Sequence, residues 1–362
     1  KEVVALQAGE APSRKIWEII RDISRKGYQE IYDILDVKIE ERGESYYNDM
    51  LPGLVAEMQE KGLAVESEGA QCVYLDGFTN RDGDPLPLMI QKSDGGYNYD
   101  TTDLTALRQR IQEEAADRIL YVHDMGKRQH FEMVFAAAEK AGYYDPQRHR
   151  IDYAPFGLVL GPDGKKFKTR SGKTEKLIDL LTAAVSKAKD IMKDRESITG
   201  EVECAATAEA LGIGAIKYAD LSCNRVGDYS FSYDRMLRFE GNTAAFLMYS
   251  YVRIASIQRK VGLPIEEVLK KAKITLRHPS EVSLGLHLRR FAETLNAVSN
   301  DLTPNRLTEY LYDLAQCFNA FFRDCRVQGD DLQNERLLLC EITARIMKQG
   351  LDILGVKTVE KM

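Results

Sequence analysis

Residues 71–75, 86–91, 117–124 and 151–160 are short apolar runs bounded by polar or turn residues, and no such run occurs after residue 177. That asymmetry limits the fold more than any other feature. Runs of this kind read as strands. Between the last two lies 125–142, with Phe131, Val134, Phe135 and Ala138 at helical spacing. The order strand, helix, strand, loop, helix describes an α/β unit built on a parallel sheet. From residue 177 onward, helical periodicity covers 177–192, 203–224, 242–260, 264–272, 279–300, 303–325 and 334–354. The expectation is an α/β domain over 1–195 followed by an all-α domain over 196–362. The boundary falls in the polar stretch 193–200, which ends in Gly200. A length of 362 residues suits two domains of about 150 residues or somewhat more.

Upstream of the first strand, 12–35 has Ile16, Ile19, Ile20, Ile23, Ile31, Ile34 and Leu35 at helical spacing. Ser13 is a candidate cap and Gly27 a candidate break. A second helix is expected over 48–61. Both read as scaffold.

The composition excludes several classes. Hydrophobic residues make up 44% and charged residues 29%, an ordinary globular balance. No apolar run approaches the roughly 20 residues that span a bilayer. No secretory signal is visible at the start. Six scattered cysteines without a CxxC pair read as free thiols in a reducing compartment such as the cytoplasm. Five histidines without HExxH spacing argue against a protein-bound metal. With a net charge of −6, any RNA-binding surface must be a local patch.

Three stretches carry chemistry. The first is GPDGKKFKTRSGKTEKL, where six cationic side chains stand with one anionic side chain over 165–176. It is a glycine-punctuated loop between an expected strand and an expected helix. Backbone N–H groups and a helix N-terminus favour anions there, and lysine and arginine neutralise phosphate charge. A solvated lysine-rich turn is the plain alternative. There is no GxxxxGK[ST], so the stretch is not a Walker A loop. The second is KSDGGYNYDTTD at 92–103. Gly95 and Gly96 permit a tight turn, Thr101 or Thr102 is a candidate cap, and Tyr99 and Asp103 share a helix face four residues apart. A carboxylate beside an aromatic hydroxyl suits a guanidinium. Asp103 also reads simply as an acid at a helix N-terminus. The third is NTAAFLMYSYVRIASIQRK at 242–260, with no acid, three cations and the aromatic residues Tyr249 and Tyr251. Such a helix either holds RNA, with cations on phosphate and rings on bases, or is an amphipathic core helix.

KSDGGYNYDTTDL, FGLVLGPDGKKFKTRSG, IKYADLSCNRVGDYSFSYDRML and GNTAAFLMYSYVRIASI, in that order, together with the ending ILGVKTVEKM, resemble arginyl-tRNA synthetases, a class I family. The resemblance covers nearly the whole chain. It implies the second half of a Rossmann-type catalytic domain, followed by a helical-bundle anticodon-binding domain. It implies an ATP-dependent ligase that forms arginyl-adenylate and transfers arginine to tRNA-Arg, with Mg²⁺ accompanying ATP. By the same resemblance, Phe167, Lys168, Thr169, Arg170 and Ser171 match the KMSKS-type loop on the ATP phosphates, Lys168 and Arg170 being the catalytic cations. Tyr99 and Asp103 match residues that grip the arginine guanidinium. Asn242, Thr243, Tyr249, Arg253 and Ser256 lie on the stretch that matches a tRNA-contacting helix.

Three positions depart from the family pattern. No His-x-Gly-His occurs, and that motif belongs to a half of the nucleotide fold expected before Lys1. Lys127 stands where the family has a glutamine that helps hold arginine. Tyr153-Ala154-Pro155-Phe156-Gly157 replaces His-x-Gly-Phe-Gly. Alone, the chain then carries half of an ATP site and an exposed sheet edge. The N-terminal half of the catalytic domain is the expected further partner. The alternative is a synthetase-derived protein that binds tRNA without charging it.

Overall fold

The computed structural model describes residues 2–161, 164–165, 176–193, 200–271 and 273–362. The chain forms two compact units, Lys1–Phe156 and Gly157–Met362. The whole of the 166–175 segment lies outside the described residues, and with it Phe167, Lys168, Thr169, Arg170 and Ser171.

In the first unit, α1 (Glu2–Gln7) and α2 (Ala11–Leu35) lead through a 3₁₀ turn, Glu44–Met50, into α3 (Leu51–Glu60). There follow β1 (Val65–Ser67), β2 (Ala70–Thr79), β3 (Pro85–Gln91), α4 (Tyr99–Gln112), β4 (Arg118–Asp124), α5 (Arg128–Lys140) and β5 (Arg150–Phe156). The strands fall into two sheets. β1, β2 and β3 form an antiparallel meander with Val65 opposite Cys72 and Cys72 opposite Met89. β4 and β5 pair in parallel, from Arg118 opposite Arg150 to Asp124 opposite Phe156, with α5 as their crossover. Within this unit, among the described residues, parallel pairing is limited to these two strands. The 71–91 region is a hairpin because Asn80 closes its turn, accepting from the amides of Asp82 and Asp84. One core joins these parts: Leu54, Met58, Val73, Leu88, Ile90, Leu104, Leu107, Val134 and Ala138.

α2 differs from expectation in three ways. It runs unbroken through Gly27. Its N-cap is Glu10, and Ser13 Oγ donates instead to the carboxylates of Glu2 and Glu10. None of its residues is buried, and Ile16, Ile19, Ile20 and Ile23 are 54–67% exposed. Periodicity located the helix but not a partner for its apolar face.

The second unit contains β6 (Val159–Leu160), α6 (Leu177–Lys193), α7 (Glu201–Leu221), β7 (Tyr229–Ser230) and α8 (Tyr233–Met236). It continues with α9 (Ala244–Val261), α10 (Ile265–Lys271), α11 (Pro279–Arg289), α12 (Phe291–Asp301), α13 (Asn305–Asp324) and α14 (Gln333–Ile353). Two expectations are corrected here. A strand does occur after residue 177: β7 pairs in parallel with β6, and at two residues it is too short to show a period. The run 151–160 is also two strands rather than one. Gly157 N donates to Arg225 O at 2.7 Å, and a Cβ at Gly157 would lie 2.4 Å from Gly227 O, so the backbone turns aside there. The expected helix 279–300 is likewise α11 and α12, divided at Arg290 with ψ −4°. α11 begins with a capping box in which Glu281 accepts from the His278 amide at 2.9 Å.

The helical core is built on Tyr218, Leu247, Ile254, Leu311, Phe318, Phe321, Cys340 and Leu351. Among the described residues no helix is long and apolar enough to cross a membrane. α6 and α7 approach closely at Gly212, where a Cβ would stand 2.7 Å from Val185 Cα. Backbone atoms cannot yield as a side chain can. Gly212→Ala should therefore destabilise this unit by about 1–3 kcal/mol, read as a lowered urea midpoint of the helical circular-dichroism signal.

Candidate guanidinium and RNA-binding sites

The loop 92–98 is fixed from two sides. Asp94 Oδ1 accepts from Gly96 N at 2.9 Å, and Lys92 N donates to Gly96 O at 2.9 Å. Gly95 takes φ +81°, a left-handed conformation that favours glycine. From α1, Gln7 grips the Tyr97 backbone at both ends: Oε1 accepts from Tyr97 N at 3.0 Å and Nε2 donates to Tyr97 O at 3.2 Å. Two residues later α4 begins, with Asn98 as N-cap. The threonines expected as caps serve otherwise. Thr101 Oγ1 donates to Ile90 O at 2.6 Å, which ties α4 to β3, and Thr102 Oγ1 donates back to Asn98 O at 3.3 Å.

This anchoring presents Tyr99, Asp100 and Asp103 on the first turns of α4. His130 of α5 stands between the two carboxylates. Its Nδ1 lies 3.0 Å from Asp100 Oδ1 and its Nε2 2.7 Å from Asp103 Oδ2. Burial opposes the imidazolium, but the hydrogen bonds to Asp100 and Asp103 and their charges outweigh it, raising its pKa to about 9. Tyr99 packs edge-on to the His130 ring at 4.8 Å and is itself half exposed. On the open side of Tyr99, Lys127 Nζ stands 4.4 Å from the ring centroid. The structure thus brings Tyr99, Asp103 and Lys127 into one corner of the first unit. Sequence reasoning did not single out His130, Asp100 or Gln7. The usable signal was weak: Asp100 and Asp103 are three apart on one helix, and His130 sits three residues after Lys127. The departures at Tyr153 and Pro155 lie in β5, where the Tyr153 hydroxyl donates to Asp124 O at 2.5 Å.

In the second unit α9 has two characters. Leu247, Met248, Ser250, Tyr251, Val252, Ile254 and Ala255 are buried. Tyr251, read from sequence beside Tyr249 as an aromatic that could meet RNA, is only 8% exposed, because it falls on the core face. The opposite edge, Tyr249, Arg253, Ser256 and Lys260, lines a cavity of about 580 Å³ with Phe322, Arg326 and Gln328. No acidic side chain lines it among the described residues. Arg253 is held firmly: its Cζ lies 5.0 Å from the Tyr249 ring centroid and 5.2 Å from that of Phe322, while Nη1 donates to Asn319 Oδ1 at 2.7 Å. Thr243 is the N-cap of α9, accepting from Phe246 N at 3.2 Å. Asn242, itself only partly buried, accepts from the Tyr218 hydroxyl at 2.5 Å through Oδ1. Asn242 and Thr243 thus line a different cavity, with Tyr229 and Arg238. The five residues expected to meet tRNA line two cavities, Tyr249, Arg253 and Ser256 one and Asn242 and Thr243 the other.

Residues 1–233 match the family described as class I tRNA synthetases (R), catalytic domain, and 247–362 match the DALR anticodon binding domain. The chain is 62% identical over 361 residues to an arginine–tRNA ligase of Protochlamydia amoebophila, covering all of this chain and 62% of that protein. It is 50% identical to an arginine–tRNA ligase of Trichodesmium erythraeum, covering all of this chain and 63% of that protein. Its fold is similar to the crystal structure of Plasmodium falciparum arginyl-tRNA synthetase, with a TM-score of 0.88 and 33% identity, over all of this chain and 61% of that one. The chain spans about three-fifths of the length of the proteins it matches. It belongs to the class I arginyl-tRNA synthetase family, carrying that family's catalytic-domain sequence and a DALR anticodon-binding domain.

Proposed function

We propose that the chain works as part of an arginine–tRNA ligase. The observation that carries this reading is the corner made by Tyr99 and Asp103: the ring already carries a cation, Lys127, 4.4 Å from its centroid, and the Asp103 carboxylate meets His130, the ring's edge-on neighbour, at 2.7 Å. An arginine guanidinium fits the same corner, bonded to Asp103 Oδ1 and stacked on Tyr99. It also displaces Lys127. An exposed cation–π contact is worth about 0.5–1 kcal/mol. Each hydrogen bond from a guanidinium to a carboxylate is worth about 1.5–3 kcal/mol.

In this reading the arginine carboxylate attacks the α-phosphate of ATP and pyrophosphate leaves. The 3′-terminal adenosine of tRNA-Arg then takes the arginyl group from the adenylate. Phe167, Lys168, Thr169, Arg170 and Ser171 contact the phosphates, Lys168 and Arg170 neutralising the charge that develops, and Mg²⁺ arrives with ATP. The protein positions the reactants and balances charge rather than reacting itself. We put the functional division between the catalytic and tRNA-binding portions at 195/196, in the polar stretch that ends in Gly200. The six cysteines are all free thiols, which suits the cytoplasm. The cavity beside α9 receives an anticodon nucleotide, its phosphate on Arg253 and its base on the Tyr249 ring.

Charging of tRNA-Arg with labelled arginine and ATP by the intact protein tests the reaction. Absence of charging by a protein that still binds the tRNA would sink it in favour of a binding-only role. Asp103→Ala should raise the KM for arginine about 100-fold, the loss of roughly one charged hydrogen bond of about 2.7 kcal/mol, while the KM for ATP stays within about twofold. Tyr249→Ala should weaken tRNA-Arg binding about tenfold through lost stacking. Arg253→Ala should weaken it and flatten the slope of log affinity against log salt by about one. Both are read by filter binding across a salt series.

A further inference from the structure

His130 occupies the proposed arginine site without a part in either chemical step. Only 12% of its side chain is exposed, and a carboxylate faces each ring nitrogen. A neutral imidazole carries one N–H and can donate to one carboxylate; donating to both requires the imidazolium. The charged and titratable groups around it come from three elements. α4 supplies Asp100, Asp103 and Tyr99. The 3₁₀ turn before α5 supplies Lys127, whose ammonium rests on Tyr99. β4 supplies Tyr121, which shares the field of Asp103 and bonds to Arg110. Phe131 closes the fourth side, edge-on at 4.9 Å.

The charge count is specific. Two carboxylates and one imidazolium leave one negative charge, which Lys127 balances in the free protein and one guanidinium balances once it displaces Lys127. The geometry is equally specific. His130 takes Asp103 Oδ2, and among the described residues nothing donates to Oδ1. We propose that His130 is the positioning residue of the arginine site: fixed as an imidazolium between Asp100 and Asp103, it turns Asp103 Oδ1 toward the substrate guanidinium and leaves the carboxylate pair one net negative charge. The inference rests on the arginine reading of the site. It gives Asp100 a part as well, as the group that keeps His130 charged and stationary.

The sign of the pH dependence follows. The folded protein favours the charged form, so the benefit is complete near neutral pH and is lost as pH rises through about 9. The test is arginine-dependent ATP–pyrophosphate exchange by the intact protein with tRNA-Arg present, from pH 6.5 to 10, for wild type, His130→Gln and Asp100→Asn. At pH 7–8 His130→Gln should raise the KM for arginine at least tenfold and leave the KM for ATP within twofold. The ratio of variant to wild-type KM for arginine should then fall toward one above about pH 9, where the wild type has lost its own imidazolium. Titration of the substrate cancels in that ratio. Asp100→Asn retains the imidazole and Asp103, and should move the wild-type rise in KM for arginine to a lower pH by one unit or more. This second variant decides the matter if His130→Gln does not fold. A ratio near one throughout, a ratio above one that does not change with pH, or an unmoved rise in Asp100→Asn would overturn the inference while leaving the ligase reading intact. Absence of any arginine-dependent exchange by the wild type would overturn both.

Discussion

Two carboxylates one helical turn apart on the same face of α4 repel each other unless a cation stands between them. That constraint organises the Tyr99–Asp103 end of the first unit. His130 meets it at 2.7 and 3.0 Å, which requires α5 to lie against the start of α4. Core packing sets the approach, through Leu104 and Leu107 on one side and Phe131 and Val134 on the other. The loop ahead of α4 must in turn begin the helix at Tyr99, or the two acids would face elsewhere. Gln7, Asp94 and the left-handed Gly95 hold that start. The site is thus the meeting point of α1, β3, α4 and α5, none of which makes it alone.

The second unit solves a different problem. Its helices pack at close range, so glycines at 212 and 350 replace side chains that would strike Val185 and Leu311. Close packing leaves α9 wedged by its apolar face against α7, α13 and α14, and a helix so held can offer only one edge. That edge carries Tyr249, Arg253, Ser256 and Lys260. Whether the 242–260 stretch was a core helix or an RNA-facing helix is therefore a question about faces. Its inner face is core, and its outer edge lines a cavity free of acids among the described residues.

Much of this was legible in the sequence because it rests on period and punctuation. The helices after residue 177 follow a 3.6-residue repeat, and the Tyr99–Asp103 spacing fixes a shared face once α4 exists. What was not legible depends on contacts distant in sequence. The run 151–160 is uniformly apolar, and only the approach of Gly227 divides it at Gly157. The hairpin at 71–91 reads as two strands in any sheet; pairing, not composition, makes it antiparallel. The isoleucines of α2 mark a helix correctly, yet their exposure depends on what lies against them, which a periodic pattern does not encode. His130 was missed for a related reason. Its importance lies in two partners 27 and 30 residues earlier in the chain, and a lone histidine in a helix gives no sign of them.

Arg253 and Lys127 show how similar parts reach different ends. Both are cations against aromatic rings. Lys127 touches one ring at 4.4 Å and, among the described residues, enters no ion pair, so little holds it and a better cation can take its place. Arg253 lies between two rings and is fixed in rotation by Asn319, so its plane and its remaining N–H groups keep their direction. Under the proposed reading, the cation that must yield to substrate is held by one weak contact. One that must read a partner's shape is held by several, since an unconstrained guanidinium would lose that orientation to rotamer freedom on binding. Under the proposed reading, the difference in tethering between these two side chains separates a site that exchanges its cation at each turnover from a surface that presents its cation ready-made.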